Sequence, residues 1–200
     1  MTHSSQYTAT EAAFVLRESV RSVKKALDTG PVRPVLMRRA GTSVRAIEWR
    51  DLFYLYAVRA LRDELTPKAR TEFYEALQEA PIGRDGEVQF GRFRILVRDL
   101  VAEVERRTSD LSALAEKVEF RADGEPMLKG TAIEVYRIAA LLEGGASIKA
   151  VLEDYPSLSA GQVETARAYA EAYPKSGRPY PRTSVKRALA GAGLEALDDA

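Results

Sequence analysis

The 200-residue sequence contains no cysteine and one histidine. Without thiols it has no disulfides and no thiolate metal sites, a composition that fits a reducing compartment. The histidine, His3, lies in an N-terminal stretch, "MTHSSQ", that reads as a disordered tail. Neither a His-centred catalytic triad nor a His-ligated zinc site can then be assembled in the body of the chain. No run of 18 apolar residues occurs, which leaves no candidate for a membrane span. The N-terminus also lacks the basic start and apolar stretch of a secretory signal, and the expected location is the cytoplasm. The 29 Asp and Glu fall mostly at helical spacing beside Lys or Arg, as in "VAEVERR", the pattern of a solvated face. No catalytic residue, metal site or cofactor is expected, and an enzyme is the weakest of the functional readings.

A phosphate-cradling loop is missing as well, although "GEPMLKGT" at 124–131 has nearly the right composition. A Walker loop sets Gly-Lys-Ser/Thr after a glycine and four residues, so that backbone N–H groups and the lysine converge on phosphate. Here Lys129 precedes Gly130 and Pro126 removes a donor. Gly124 and Gly130 read instead as turn positions between a strand and a helix, and Thr131 as a residue that satisfies the chain where it enters that helix. Lys129 reads as a surface charge.

What is present is enough apolar material, 46% of residues, for one large or two small domains. The net charge of +1 conceals a segregation. Residues 1–60 carry 10 Lys/Arg against 5 Asp/Glu, residues 61–173 carry 15 against 21, and residues 174–190 carry five basic residues and no acidic one. The last ten residues return to a charge of −3. Two basic ends around an acidic middle point to two contacts with polyanionic or acidic partners.

Along the chain, Thr8 with Glu11 forms a capping box for a helix over about 9–16, with Ala12, Ala13 and Leu16 as a small apolar face. After a break at Arg17 and Glu18, Ser19 caps a second helix, "VRSVKKALDT", that Gly30 ends. Val20, Val23 and Leu27 share one side of it, which leaves Arg21, Lys24 and Lys25 outward. Two short helices around a tight turn make a helix-turn-helix. "VRPVLMRRAGTSVRAIEW" then reads as a hairpin turning at Gly41, a wing with Arg38 and Arg39 near its tip. Asp51 marks the start of an apolar helix and Thr66-Pro67 the start of another. Phe53, Tyr54, Tyr56, Phe73 and Tyr74 sit at helical spacing as core or dimer contacts.

This ordered set, "YTATEAA", Ser19-x-x-x-Val23, "LDTG" and a hairpin ending in "IEWRDL", resembles the MerR/excisionase-like winged-helix family over residues 7–56. It departs from that family at "RESV", where a Gly-Val turn is more usual, and it lacks the C-terminal coiled coil and effector cysteines of the sensor members. Further on, "EVQFGRFRILV" reads as one strand or a hairpin bent at Gly91, and "RDLVAEVERR" as a helix. "IEWRDL" and "ILVRDL" both read as a strand running into a helix, either a degenerate second wing or a common junction.

The C-terminal region opens with a strand at "KVEFRA" and a helix "VYRIAALLEGG" whose apolar face is Val135, Ile138, Ala139 and Leu142. Ser147 caps "IKAVLEDY", and Ser159 with Gln162 forms a second capping box that opens a helix running to Pro174. From about 118 to 179 the sequence resembles the DUF433 antitoxin family. The resemblance rests on Gly124, Pro126, Gly130-Thr131, Ile133, Val135, Gly145, Ser147, "LEDYPSLS" at 152–159, Gln162, "AYA" at 168–170 and "GRP" at 177–179. The family usually has Arg and Pro where Ala132 and Glu134 stand.

The resemblance implies an antitoxin of the VapB type that pairs with a PIN-like ribonuclease toxin, masks it with a C-terminal segment and represses its own operator. The fold expected is mainly α with small β-hairpins, α+β in class. It comprises a tail at 1–6, a winged helix-turn-helix over 7–80, a strand and helix connector over 81–117, a three-helix domain over 118–174 and a basic tail over 175–200. DNA contacts are expected from Arg21, Ser22, Lys24, Lys25, Arg38 and Arg39. Toxin contacts are expected from Arg178, Arg182, Lys186, Arg187, Leu189 and Leu194, with one arginine pairing the nuclease carboxylates. The partners are thus the toxin, operator DNA and a second copy of the chain, because two-fold operators suit dimers. The alternatives are a tail that only assists DNA binding and a stand-alone DNA-binding regulator without a toxin.

Overall fold

The computed structural model describes residues 6–39, 42–79, 86–175, 177, 180–184 and 188–189. These fall into two compact units, one up to Leu111 and one from Ser112. Both mix helices with small antiparallel sheets, so the fold is α+β.

The first unit begins with β1 (Gln6–Thr8) and α1 (Ala9–Leu16). The Thr8 hydroxyl accepts the Glu11 N–H at 3.3 Å and the Glu11 carboxylate accepts the Thr8 N–H at 2.8 Å, which satisfies two of the orphan donors of the first turn. The chain turns at Arg17, which adopts the left-handed conformation at φ 55° while its N–H and that of Glu18 close on carbonyls of the last turn. This is the departure from the usual Gly-Val turn made physical. An arginine holds a conformation that favours glycine, at a cost of about 1–2 kcal/mol. Then α2 (Val20–Thr29) starts at Ser19, whose hydroxyl accepts the Ser22 N–H at 3.1 Å, and it buries Val23 and Leu27.

β2 (Val35–Arg39) and β3 (Thr42–Glu48) pair antiparallel, and β3 also pairs with β1, giving the order β1-β3-β2. α3 (Trp49–Ala60) follows without a gap. It starts two residues before Asp51, because the Asp51 carboxylate reaches back to accept the Glu48 N–H at 3.3 Å from the third helical position. α4 (Pro67–Glu79) is capped by the Thr66 hydroxyl, which accepts the Ala69 N–H at 3.3 Å. Most of the helical aromatics go to the core. Phe53 and Phe73 are fully buried, Tyr54 nearly so, and Tyr74 donates to Asp51 at 2.9 Å. Burial, and then this carboxylate, push the Tyr74 hydroxyl up to about 12. Truncating Phe53 or Phe73 to alanine would cost about 3–5 kcal/mol.

"EVQFGRFRIL" is a hairpin, not a single strand: β4 (Glu87–Phe90) and β5 (Phe93–Leu96) flank Gly91, which is at φ 54°. It continues an aromatic row, with Phe73 to Phe90 at 5.3 Å and Phe90 to Phe93 at 5.5 Å between ring centroids. α5 (Arg98–Ala115) is longer than the sequence pattern suggests and crosses the boundary between the units. Within the first unit Arg107 fixes it, donating to the Val15 carbonyl at 3.0 Å and lying 5.1 Å from the centre of the Tyr56 ring.

The second unit opens with a hairpin that the sequence reading only half foresees. β6 (Val118–Phe120) pairs with β7 (Pro126–Leu128), three buried residues inside "GEPMLKGT". Proline disguises this strand, yet it is tolerated as the first residue of a hairpin edge, where no ladder donor is required. Gly124 at φ 83° and Gly130 at φ 74° bracket β7 in the conformation that favours glycine. The Thr131 hydroxyl donates to the Leu128 carbonyl at 2.8 Å and accepts the Ile133 N–H at 3.1 Å.

α6 (Val135–Glu143), α7 (Ile148–Asp154) and α8 (Ala160–Ala172) follow, with serine caps at Ser147 and Ser159. The inner face of α6 is Val135, Ile138, Ala140 and Leu141. The expected Ala139 and Leu142 are only half-buried and line a groove instead.

Candidate functional site

On α2 the positions of Arg21, Lys24 and Lys25 differ by three and four residues, so the three side chains occupy one exposed face opposite Val23 and Leu27. None has an acidic partner among the described residues. Ser22 is exposed beside them at the N-terminal turn, its N–H closed by Ser19. A full turn beyond Lys24 and Lys25 the same face reaches Asp28, whose carboxylate would repel a polyanion. The Arg45 guanidinium from β3 binds it at 2.7 Å.

The hairpin separates two residues that the sequence places side by side. Successive strand residues point to opposite faces, and the register sets Arg38 opposite Ser43 and Arg39 opposite Thr42. Arg38 therefore shares a face with Leu36 and Arg45, exposed and without an acidic partner among the described residues. Arg39 lies on the other face and binds the nearly buried carboxylate of Glu11 at 2.8 Å. It ties the hairpin to the capping box of α1, a role invisible in sequence because the partners are 28 residues apart. Gly41 at the tip lies outside the described residues.

In the second unit a groove of about 780 Å³ is lined by residues of α6 and α8 and the start of α7, Ala139, Leu142, Ile148 and Ala170 among them. Tyr136, Lys175 and Tyr180 close one end. The Lys175 ammonium pairs with Glu125 and lies 5.3 Å and 5.1 Å from the centres of the Tyr136 and Tyr180 rings. Burial and a hydrogen bond to Glu134 raise the Tyr180 hydroxyl above its ordinary value. Glu134, which departs from the family's usual proline, also accepts from Arg121 at 3.2 Å. The tail is then anchored to the body of this unit. Arg182 binds Glu143 at 2.9 Å, its backbone packs directly on Gly144, and the Ser184 hydroxyl donates to Asp154 at 2.7 Å.

Of the expected toxin contacts, Arg182 is thus engaged on its own body and Leu189 is 46% exposed. Arg178, Lys186, Arg187 and Leu194 lie outside the described residues. The groove and its Lys175 cluster carry no local sequence signal, since Lys175 and Glu125 are 50 residues apart. Among the described residues no three His, Cys, Asp or Glu gather as a metal would require, and no helix is long and apolar enough to cross a membrane.

Over 189 residues the chain is 31% identical to the "Uncharacterized protein y4eO" of Sinorhizobium fredii (strain NBRC 101917 / NGR234), an alignment covering 85% of this chain and 82% of that protein. The chain belongs to the y4eO family. Within it, residues 120–170 match the family described as "Protein of unknown function (DUF433)". This DUF433 segment runs from the end of β6 into α8 and contains β7, α6, α7 and most of the groove walls. A crystal structure of Rv2018 from Mycobacterium tuberculosis aligns with 80% of this chain and 95% of its own at 15% identity and a TM-score of 0.35, too low to establish a shared arrangement.

Proposed function

We propose that this y4eO-family protein is the antitoxin of a toxin–antitoxin pair. Its first unit acts as a winged helix-turn-helix that binds operator DNA, and its basic C-terminal segment masks a PIN-like ribonuclease. The observation that carries the reading is electrostatic: among the described residues Arg21, Lys24 and Lys25 stand unpaired on one face of α2, and the one carboxylate on that face is occupied by Arg45. A helix offering such a face can enter a major groove with its N-terminal residues toward the bases and its cations toward phosphate. The order β1-β3-β2 sets a hairpin beside the two helices, and Arg38 on its outer face is free to follow a phosphate strand. Arg39 holds the hairpin to α1.

The toxin-binding half rests on the resemblance of residues 118–179 to DUF433 antitoxins and on the acid-free stretch 174–190. Arginines recognise clustered carboxylates bidentately, and a metal-dependent nuclease presents such a cluster. Because Glu143 already holds Arg182, Arg178 and Arg187 are the better suited to that role. Lys186, Leu189 and Leu194 would line the contact. The same Glu143 pairing is what favours the second reading, a stand-alone regulator whose tail stays on its own body.

Co-expression with the product of the neighbouring gene separates the two. The antitoxin reading expects relief of growth arrest and co-purification with the full chain, and neither with a chain ending at Tyr173. Equal rescue by the truncated chain sinks toxin masking by the tail.

A further inference from the structure

β5 ends its sheet. Among the described residues it pairs with β4 alone and the sheet has two strands, a size that is marginal by itself in water. The Val97 N–H donates to the Gly86 carbonyl at 2.9 Å, and bonded pairs alternate along an antiparallel ladder. Residues 93, 95 and 97 therefore bond toward β4, and the N–H and C=O of Arg94 and Leu96 point away from it. These four groups have no partner among the described residues. Two usual protections of an edge are missing, since the strand has no proline or lysine; it is short, and its one charge, Arg94, is bound back to Glu87 of the same hairpin at 2.9 Å. The side chains are apolar as well. Phe93 is 51% and Leu96 76% exposed, and Phe93 is the uncovered end of the Phe73–Phe90–Phe93 row.

We infer that two copies of the chain join edge to edge through β5, antiparallel about a two-fold axis at Ile95, to form a four-stranded sheet. A two-fold axis normal to the sheet keeps each residue on its own face, so only registers centred on a residue are open. Centring on Arg94 sets two guanidinium groups opposite each other and uses the outward groups of Arg94 alone. Centring on Ile95 sets Arg94 opposite the partner's Leu96, and Leu96 opposite the partner's Arg94. All four outward groups of each strand are then bonded. On the other face the two Ile95 side chains meet on the axis, and Phe93, half exposed in its own chain, is set toward the partner's strand end at the buried Val97. The leucine at position 96 acquires an arginine stem as its cover, and within 93–97 no like charges stand opposite each other; the same register brings Arg92 toward the partner's Arg98 at each end, a repulsion that salt should relieve. The dimer is independent of what the molecule binds, and failure to bind DNA or toxin would leave it intact.

Position 96 gives a test in which charge has opposite effects inside and between chains. Within its own hairpin Leu96 faces Glu87, whereas across the axis it faces the partner's Arg94. Leu96→Glu should weaken the hairpin and tighten the dimer, and Leu96→Lys should support the hairpin and loosen the dimer. Sedimentation equilibrium of the full chain should find a dimer at micromolar concentration, with the two variants at least about tenfold apart in dissociation constant. Since the protein has no cysteine, Ile95→Cys offers a single thiol at a pair about 4.5 Å apart in Cα, within disulfide reach. It should cross-link under mild oxidation, and Leu96→Cys should not. A monomer at every concentration, equal affinities of the Glu and Lys variants, or equal cross-linking at 95 and 96 would each overturn the interface.

Discussion

On α2 three cations stand without an acidic partner among the described residues, whereas in the second unit every described arginine is engaged. Arg121 binds Asp123 at 2.5 Å and also Glu134, Arg137 donates to the Tyr155 hydroxyl at 2.7 Å, Arg167 pairs with Glu164, and Arg182 pairs with Glu143. Lys175 is taken by Glu125 and two aromatic rings. Formal charge along the chain marks both regions as sources of positive charge, but α2 gathers its cations on one helical face, whereas the second unit's cations without an acidic partner among the described residues, such as Lys117 and Lys149, lie on separate segments. A partner of the second unit's arginines must first displace a carboxylate or, for Arg137, the Tyr155 hydroxyl, so selective arginine contact there is expected from Arg178 and Arg187.

The largest effect should come from the tail. Removing residues after Ser184 together with Arg178→Ala leaves the anchors at Glu143 and Asp154 in place, and the inhibition of the toxin given by the full chain should fall to background in a ribonuclease assay. Retained inhibition would move toxin contact onto the body and erase the contrast.

Next in size, Arg21→Ala with Lys24→Ala and Lys25→Ala should weaken binding to the DNA upstream of the gene by about a hundredfold at low salt, read by fluorescence anisotropy. Arg121→Ala with Arg167→Ala, equal in kind but drawn from paired sites, should leave that affinity within about twofold. A comparable loss from both sets would mean that pairing does not matter.

A third change strains the anchored part of the tail. A Cβ on Gly144 would overlap the Arg182 carbonyl, so Gly144→Ala should cost about 1–3 kcal/mol in urea unfolding of the full chain. The smallest effect is a gain: Arg17→Gly relieves the left-handed turn before α2 and should stabilise by up to about 1 kcal/mol, with DNA affinity unchanged.

The elements read most directly from sequence are those fixed by local chemistry. Thr8 with Glu11, Ser19, Ser147 and Ser159 with Gln162 each begin a helix where their capping geometry places it, and Gly30 ends α2. What depended on distant partners was not legible. β7 is hidden by Pro126 and defined by pairing with β6, and α3 begins earlier than its apolar run because Asp51 caps from inside the helix. The division of labour between Arg38 and Arg39 follows from strand alternation plus the position of Glu11, and Lys175 finds Glu125 only through the fold. The site on α2 could be read because helical period alone separates its cations from Val23 and Leu27. The groove could not.

The central claim, that unpaired cations on α2 are the contact with DNA, is tested most directly by the salt dependence of binding. The slope of log affinity against log salt for the full chain on its upstream DNA should be steep and should lose roughly 0.9 for each phosphate contact removed in the Arg21, Lys24 and Lys25 variant. A slope identical in the wild type and that variant would contradict it.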